Sequence, residues 1–209
     1  KHRIGVIARN GSGRQSYHEL TEFIKACVDG GSSHFIVHAR CAFLGKLSPA
    51  LNRSIPPLDY ETVYRLKQDF ADLTIEINGG ISTLDQAQKH LQYVDGVMIG
   101  RAACDNPFLF AIADQEIFGQ PNPETAASPS CVVSHLLPYL HQQMDQGVLV
   151  HHVLRHTLNL FAARPGARHF RRYLSEKIFT RKDWTAKTID EALTEALESC
   201  ALICSSIHD

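Results

Sequence analysis

This chain has almost no net charge, no long apolar run and no paired-cysteine motif, and each lack removes a class of protein. No stretch approaches the ~18 consecutive apolar residues needed to cross a bilayer. The opening KHRIGVIARNGSGRQ is too basic and polar for a signal sequence or membrane anchor, so a cytoplasmic location without membrane contact is expected. The six cysteines (27, 41, 104, 131, 200 and 204) form no CxxC pair and no zinc spacing, which favours reduced thiols over a disulfide framework. His151, His152 and His156 are spaced for one helical face, but no carboxylate or cysteine stands at a helpful spacing, and no metal site is expected. What remains is a folded globular chain: 209 residues with 44% apolar content are enough for one full domain, or for part of one with an appendage.

The net charge of -1 conceals a sharp asymmetry. Residues 1–150 carry 12 basic and 15 acidic side chains, residues 151–182 carry 8 and 1, and residues 183–209 carry 1 and 6. A basic band between two acidic stretches is the electrostatic footprint expected for a polyanion such as RNA or DNA. A solvated helix face is the alternative, although the arginines cluster about Pro165-Gly166 instead of spreading along one helix.

Four strand ends are expected, at Lys1 to Gly5, Phe35 to His38, Leu73 to Ile77 and Val94 to Ile99. The later runs are short and rich in branched apolar residues, the pattern of buried parallel strands. Helices are expected between them at Tyr17 to Val28, Tyr60 to Gln68 and Thr83 to Leu91, the last opened by a threonine cap. The order is βαβαβαβα, with a long loop from Ala39 to Leu58 after the second strand. The spacing matches a (β/α)₈ barrel, whose units run to about 31 residues each. Four units are half of such a barrel, and the two sheet edges they would leave open predict association through those edges. Sequence preceding Lys1 is therefore expected.

Beyond Arg101 the pattern is helical. A helix is expected from about Asn106 to Phe118, and GQPNPETAASPS then marks a linker. Further helices are expected at Ser130 to Gln146, His151 to Ala163, Ala167 to Thr180 and Ala186 to Ile207. This makes an α/β chain: the C-terminal half of a (β/α)₈ TIM barrel in residues 1–119, a linker in 120–129 and an all-helical domain in 130–209.

Asn78-Gly79-Gly80 and Gly100-Arg101 each close a strand run. Loops after the last two strands of such a barrel commonly form a phosphate site, where glycine lets backbone N–H groups approach the oxygens and arginine adds a fixed charge. Two ordinary left-handed turns would leave the same signature.

Taken together, KHRIG at 1–5, HARCAFLGKLSPALNRSIPPLDYETVYRLK at 38–67, INGGIST at 77–83, DGVMIGRAACDNPFLF at 95–110 and RHTLNLFAARPGARHFRRYLSE at 155–176 resemble the tRNA-dihydrouridine synthase family, and within it the A-type subfamily. The resemblance covers nearly the whole chain. It implies an oxidoreductase that uses FMN, with NADPH as electron donor, to reduce D-loop uridine in tRNA to 5,6-dihydrouridine. It also implies a TIM barrel followed by a helical tRNA-binding domain. Of the cofactor contacts, Lys1 matches the family lysine at the end of the fifth strand, and His38 the histidine after the sixth. Asn78, Gly79, Gly80, Gly100 and Arg101 match the phosphate positions. Arg53, Arg168 and Arg171 match positions of tRNA contact, with Arg155, Arg164, Arg172, Arg181 and Lys182 extending the basic surface.

The resemblance also marks departures. The family's catalytic cysteine acid lies on a loop of the first barrel half, and no cysteine here stands in a matching context, so no catalytic residue is assigned. Cys41 occupies a position where the A-type pattern usually has lysine, and Ala50 one where it tends to have a basic residue. By itself the chain is expected to bind FMN weakly or not at all, unless a second copy or the other barrel half completes the site. The alternatives are a non-catalytic tRNA-binding remnant, or another FMN-binding barrel oxidoreductase acting on a small molecule. The basic helical region disfavours the last.

Overall fold

The fold was analysed in a computed structural model, which describes residues 1–9, 16–45 and 47–205. The described residues fall into two compact units, Lys1–Gly100 and Arg101–Asp209.

The first unit is built on parallel strands. β1 (His2–Arg3), β3 (His34–His38), β5 (Thr74–Asn78) and β6 (Gly96–Met98) form one sheet in the order β1-β3-β5-β6, leaving β1 and β6 at its edges. All three pairings are parallel. A second, smaller sheet pairs β2 (Val6–Ile7) with β4 (Ala42–Phe43), an element too short to carry any periodicity in the sequence. Helices α1 (Tyr17–Asp29), α2 (Tyr60–Asp69) and α3 (Leu84–His90) fall between the strands where their apolar spacing puts them. Each has a side-chain N-cap: Ser16 accepts from Glu19 N in a full capping box, Asp59 from Thr62 N and Thr83 from Gln86 N.

Successive strand residues face opposite sides of the sheet, and here the two sides differ in chemistry. Phe35, Val37, Ile75 and Ile77 are buried, as are Leu20, Ile24, Val63, Leu66 and Ala87 on the three helices. The alternate set, Ile36, His38, Glu76 and Asn78, is only half-buried. His34 Nε2 pairs with Glu76 Oε1 at 2.8 Å on this second side, and a Cβ at Gly96 would stand 2.8 Å from Glu76 Cγ.

The second unit is helical. It comprises α4 (Arg101–Asp105), a 3₁₀ stretch Pro107–Ile112, α5 (Ala113–Phe118), α6 (Pro129–Asp145), α7 (Val150–Leu154), α8 (Ala167–Tyr173) and α9 (Ala186–Ser205). Phe170, Leu140, Leu154, Leu174, Ile178, Ile189 and Leu193 are its most buried side chains and belong to one apolar cluster. Residues 101–119, which the sequence groups with the strands, cluster in space with these helices. The Gly/Pro/Ser-rich segment is tied down: Asn122 exchanges hydrogen bonds with Gln115 at 3.0 and 3.1 Å, and Ser128 caps α6.

Some helix expectations need correction. The helix expected over residues 151–163 ends at Leu154 and continues as a 3₁₀ turn, Arg155–Thr157. The Thr157 hydroxyl donates to Leu154 O at 2.8 Å, and Leu160, Ala162 and Arg164 then each bond three residues back, so the chain tightens into successive turns. Residues 106–118 form the 3₁₀ stretch and α5 where one helix is expected. The helix expected from Ala167 passes into a π-helical turn, Leu174–Ile178. The end expected for the last helix, Ile207, lies outside the described residues.

Candidate functional site

The parallel registers bring the sequence-marked residues of the first unit to one end of the sheet. Arg3 lies opposite His38, His38 opposite Asn78, and Asn78 opposite Met98. These are the last strand residues in the chain direction, so the chain leaves the sheet here into the loop after His38, into Gly79-Gly80 and into Ile99-Gly100. Asn78 Nδ2 donates to Met98 O at 2.7 Å, fastening the ends of β5 and β6 to each other. Lys1 also reaches this end: its ammonium lies 2.8 Å from Met98 Sδ, a weak acceptor.

Two glycines of the group have a local reason to be glycine. Gly79 (φ 120°) and Gly80 (φ 73°) sit in the left-handed region. A Cβ at Gly79 would stand 2.7 Å from His38 Cδ2, and one at Gly80 would stand 2.7 Å from Leu58 Cδ1. Gly100 differs, because its φ is not positive and a Cβ there would meet nothing nearer than Asn78 Nδ2 at 4.0 Å. Among the described residues, neither strain nor packing requires glycine at that position. Close approach of a ligand to the backbone would.

The long loop after β3 is pinned by cations. Arg3 Nη1 donates to Cys41 O at 2.8 Å and Asn52 O at 2.9 Å. Asn52 in turn brackets Phe43, accepting from its N at 3.0 Å and donating to its O at 2.7 Å. Arg40, only 9% exposed, donates from Nη1 to Pro56 O while its buried Nε has no partner among the described residues. Asp59 N closes the loop on Ala39 O at 2.8 Å. Burial, with the nearby charges of Arg40 and Arg53, holds the Arg3 guanidinium below its usual value. Arg53 itself is exposed on a 3₁₀ turn, Leu51–Arg53. Cys41 is buried, and its carbonyl takes the Arg3 bond.

Arg3, Arg40, Asn52 and Tyr60 thus lie inside the quoted motifs, which give them no role, and shape the candidate site. For Arg3 and Arg40 the available signal is a charged residue beside a buried strand end. Tyr60 opens α2, and its hydroxyl donates to Gly79 O at 2.8 Å.

In the second unit, Arg168 and Arg171 stand three residues apart on α8, both exposed and without an ion pair among the described residues. Phe170 and Tyr173 are buried on the same helix. Other cations of the band are engaged: Arg164 lies 4.5 Å over the Phe108 ring, and Arg181 pairs with Asp183 at 2.9 Å while covering Trp184.

Comparison with known proteins identifies the relatives of this chain. The family model described as dihydrouridine synthase matches residues 1–198. The tRNA-dihydrouridine(20/20a) synthase of Pasteurella multocida is 49% identical over 176 residues, which is 84% of this chain and 52% of that protein. The proteins of the same name from Escherichia coli K12 and Vibrio cholerae are 49% and 46% identical over 177 residues, 84% of this chain and 49% and 52% of theirs. The chain thus spans about half the length of the curated relatives it matches. With a family match over residues 1–198, the chain belongs to the dihydrouridine synthase family.

Proposed function

We propose that this chain contributes the phosphate end of the flavin site and part of the RNA-binding surface of a tRNA-dihydrouridine synthase. The observation that carries the reading is the meeting of Asn78, Gly79, Gly80 and Gly100 at the ends of two adjacent parallel strands, in a chain of this family. The donor set suits a phosphate: a carboxamide, flexible glycine backbone and an open approach at Gly100, with Arg101 next in the chain. These five residues would hold the FMN phosphate, with Lys1 and His38 against the ring. FMN, when bound, supplies the hydride for reduction of uracil, with NADPH as the source of electrons.

In this reading residues 1–119 are the second half of a (β/α)₈ TIM barrel, 120–129 a linker and 130–209 a helical tRNA-binding domain. The edges at β1 and β6 are completed by the other four strands of the barrel or by a second copy of the chain. Arg53, Arg168 and Arg171 take tRNA phosphates. The work is cytoplasmic, where tRNA is modified.

The test of the RNA half is binding of an unmodified tRNA transcript at several salt concentrations. Affinity should fall linearly in log–log form, and replacing Arg168 and Arg171 with alanine should lower the slope by roughly 1.5 to 2. A slope unchanged in the double variant would remove these arginines from the RNA surface.

A further inference from the structure

We propose that Tyr60 is a positioning residue for the glycine turn, its hydroxyl fixing the 79–80 peptide so that the Gly80 N–H points away from Tyr60 and is presented to the phosphate. The proposal rests on the flavin-phosphate reading above.

Two adjacent glycines leave the turn without side chains to select among backbone states. Gly79 and Gly80 both sit at positive φ, where glycine moves with little resistance. The plane of the peptide between them can turn over at small cost, and each turn reverses the direction of its N–H. A phosphate grip needs that N–H aimed one way before the ligand arrives, because ordering it at the moment of binding subtracts from affinity.

One bond selects the orientation. Tyr60 Oη donates to Gly79 O at 2.8 Å. The chain has no cis peptide bond among the described residues, so C=O and N–H of each peptide point in opposite directions. Holding the Gly79 carbonyl toward Tyr60 therefore turns the Gly80 N–H away from it. A carbonyl only accepts, so the phenol must keep its proton, and burial raises its pKa above the ordinary phenol value of 10.0.

The ring that carries this hydroxyl is itself fixed. It meets His90 edge-on with centroids 4.4 Å apart, His90 Nδ1 lies 2.6 Å from Tyr64 Oη, and Tyr64 stacks on Tyr93 at 4.4 Å. His90 is 7% exposed. This aromatic group, spread over α2, α3 and the segment before β6, gives Tyr60 a rigid seat from which to aim one bond. A ring needed only to fill space would not require its oxygen to meet the carbonyl next to Gly80.

The experiment compares the full ¹⁵N-labelled chain with Tyr60→Phe, which deletes only the hydroxyl. Tyr93→Phe serves as control, since it removes a hydroxyl from the same aromatic group that bonds neither Gly79 nor His90. Two readouts are taken: the Gly80 amide resonance of the free protein, and the dissociation constants for inorganic phosphate and FMN. Tyr60→Phe should shift or broaden the Gly80 amide and weaken both ligands roughly tenfold, the scale of one lost hydrogen bond. Tyr93→Phe should match the parent in both. The proposal is overturned if Tyr60→Phe leaves the Gly80 amide unchanged, if it binds phosphate and FMN as the parent does, or if Tyr93→Phe weakens them equally. Should the parent bind neither ligand, the chain by itself does not form the flavin site, and the Gly80 amide still decides whether Tyr60 sets the peptide.

Discussion

Ala163 is the one non-glycine residue at positive φ among the described residues, at φ 58°. A left-handed alanine costs roughly 1–2 kcal/mol, whereas glycine in the same place gives up about 0.4–1 kcal/mol through the freedom it restores to the unfolded chain. Strain relief outweighs that loss, so Ala163→Gly should stabilise the helical unit by about 0.5–1 kcal/mol, visible as a raised urea midpoint with unchanged slope. A lowered midpoint would mean that the turn is held by something other than backbone preference. The same reasoning separates the site glycines. Residue chemistry alone marks Asn78, Gly79, Gly80 and Gly100 in the sequence, but it cannot tell why each glycine is there. The structure distinguishes packing against His38 and Leu58 at 79 and 80 from open approach at 100. Arg3 and Arg40 are legible only as charged residues beside buried strand ends, because their bonds go to backbone oxygens of residues 41, 52 and 56, and carbonyl positions leave no mark in a sequence.

At the scale of elements, the strands beginning at residues 34 and 74 are legible because alternate residues are buried beneath amphipathic helices, which forces apolar side chains at those positions. The β2–β4 pair is not, since two residues cannot display a period. Apolar spacing overextends α7 because a side-chain bond at Thr157 competes with the helix, a tertiary choice that propensity does not record. The contact of α2 with α3 through Tyr64 and His90 carries a prediction about pH. Burial holds the His90 pKa below the ordinary value of 6.5. A depressed folded value means that the unfolded chain takes the proton first as pH falls. The stability contributed by neutral His90 is thus fully present above about pH 6.5 and declines below it, until the folded state also titrates. Burial lowers His2 in the same unit in the same sense. Urea unfolding of the first unit, followed through its amide resonances, should show a falling midpoint between pH 7 and pH 5. The fall should be shallower in His90→Phe, and an identical fall in the variant would show that His90 is not its source.

For the whole molecule, a near-neutral net charge conceals a basic band that comes from where the arginines sit. Arg168 and Arg171 are exposed on a helix whose buried residues belong to the core of the second unit, so a rigid element presents them. Composition reveals the band, and only the structure separates these two from cations already committed to rings or carboxylates. The central claim is that the ends of β5 and β6 receive a phosphate. The most direct measurement is titration of the labelled chain with FMN and, separately, with riboflavin, which has the same ring system and no phosphate, following amide shifts even where affinity is weak. FMN should move the Gly79, Gly80 and Gly100 resonances in a saturable way that inorganic phosphate competes, while riboflavin leaves them in place. Equal shifts from both ligands, or FMN shifts confined to other residues, would contradict it.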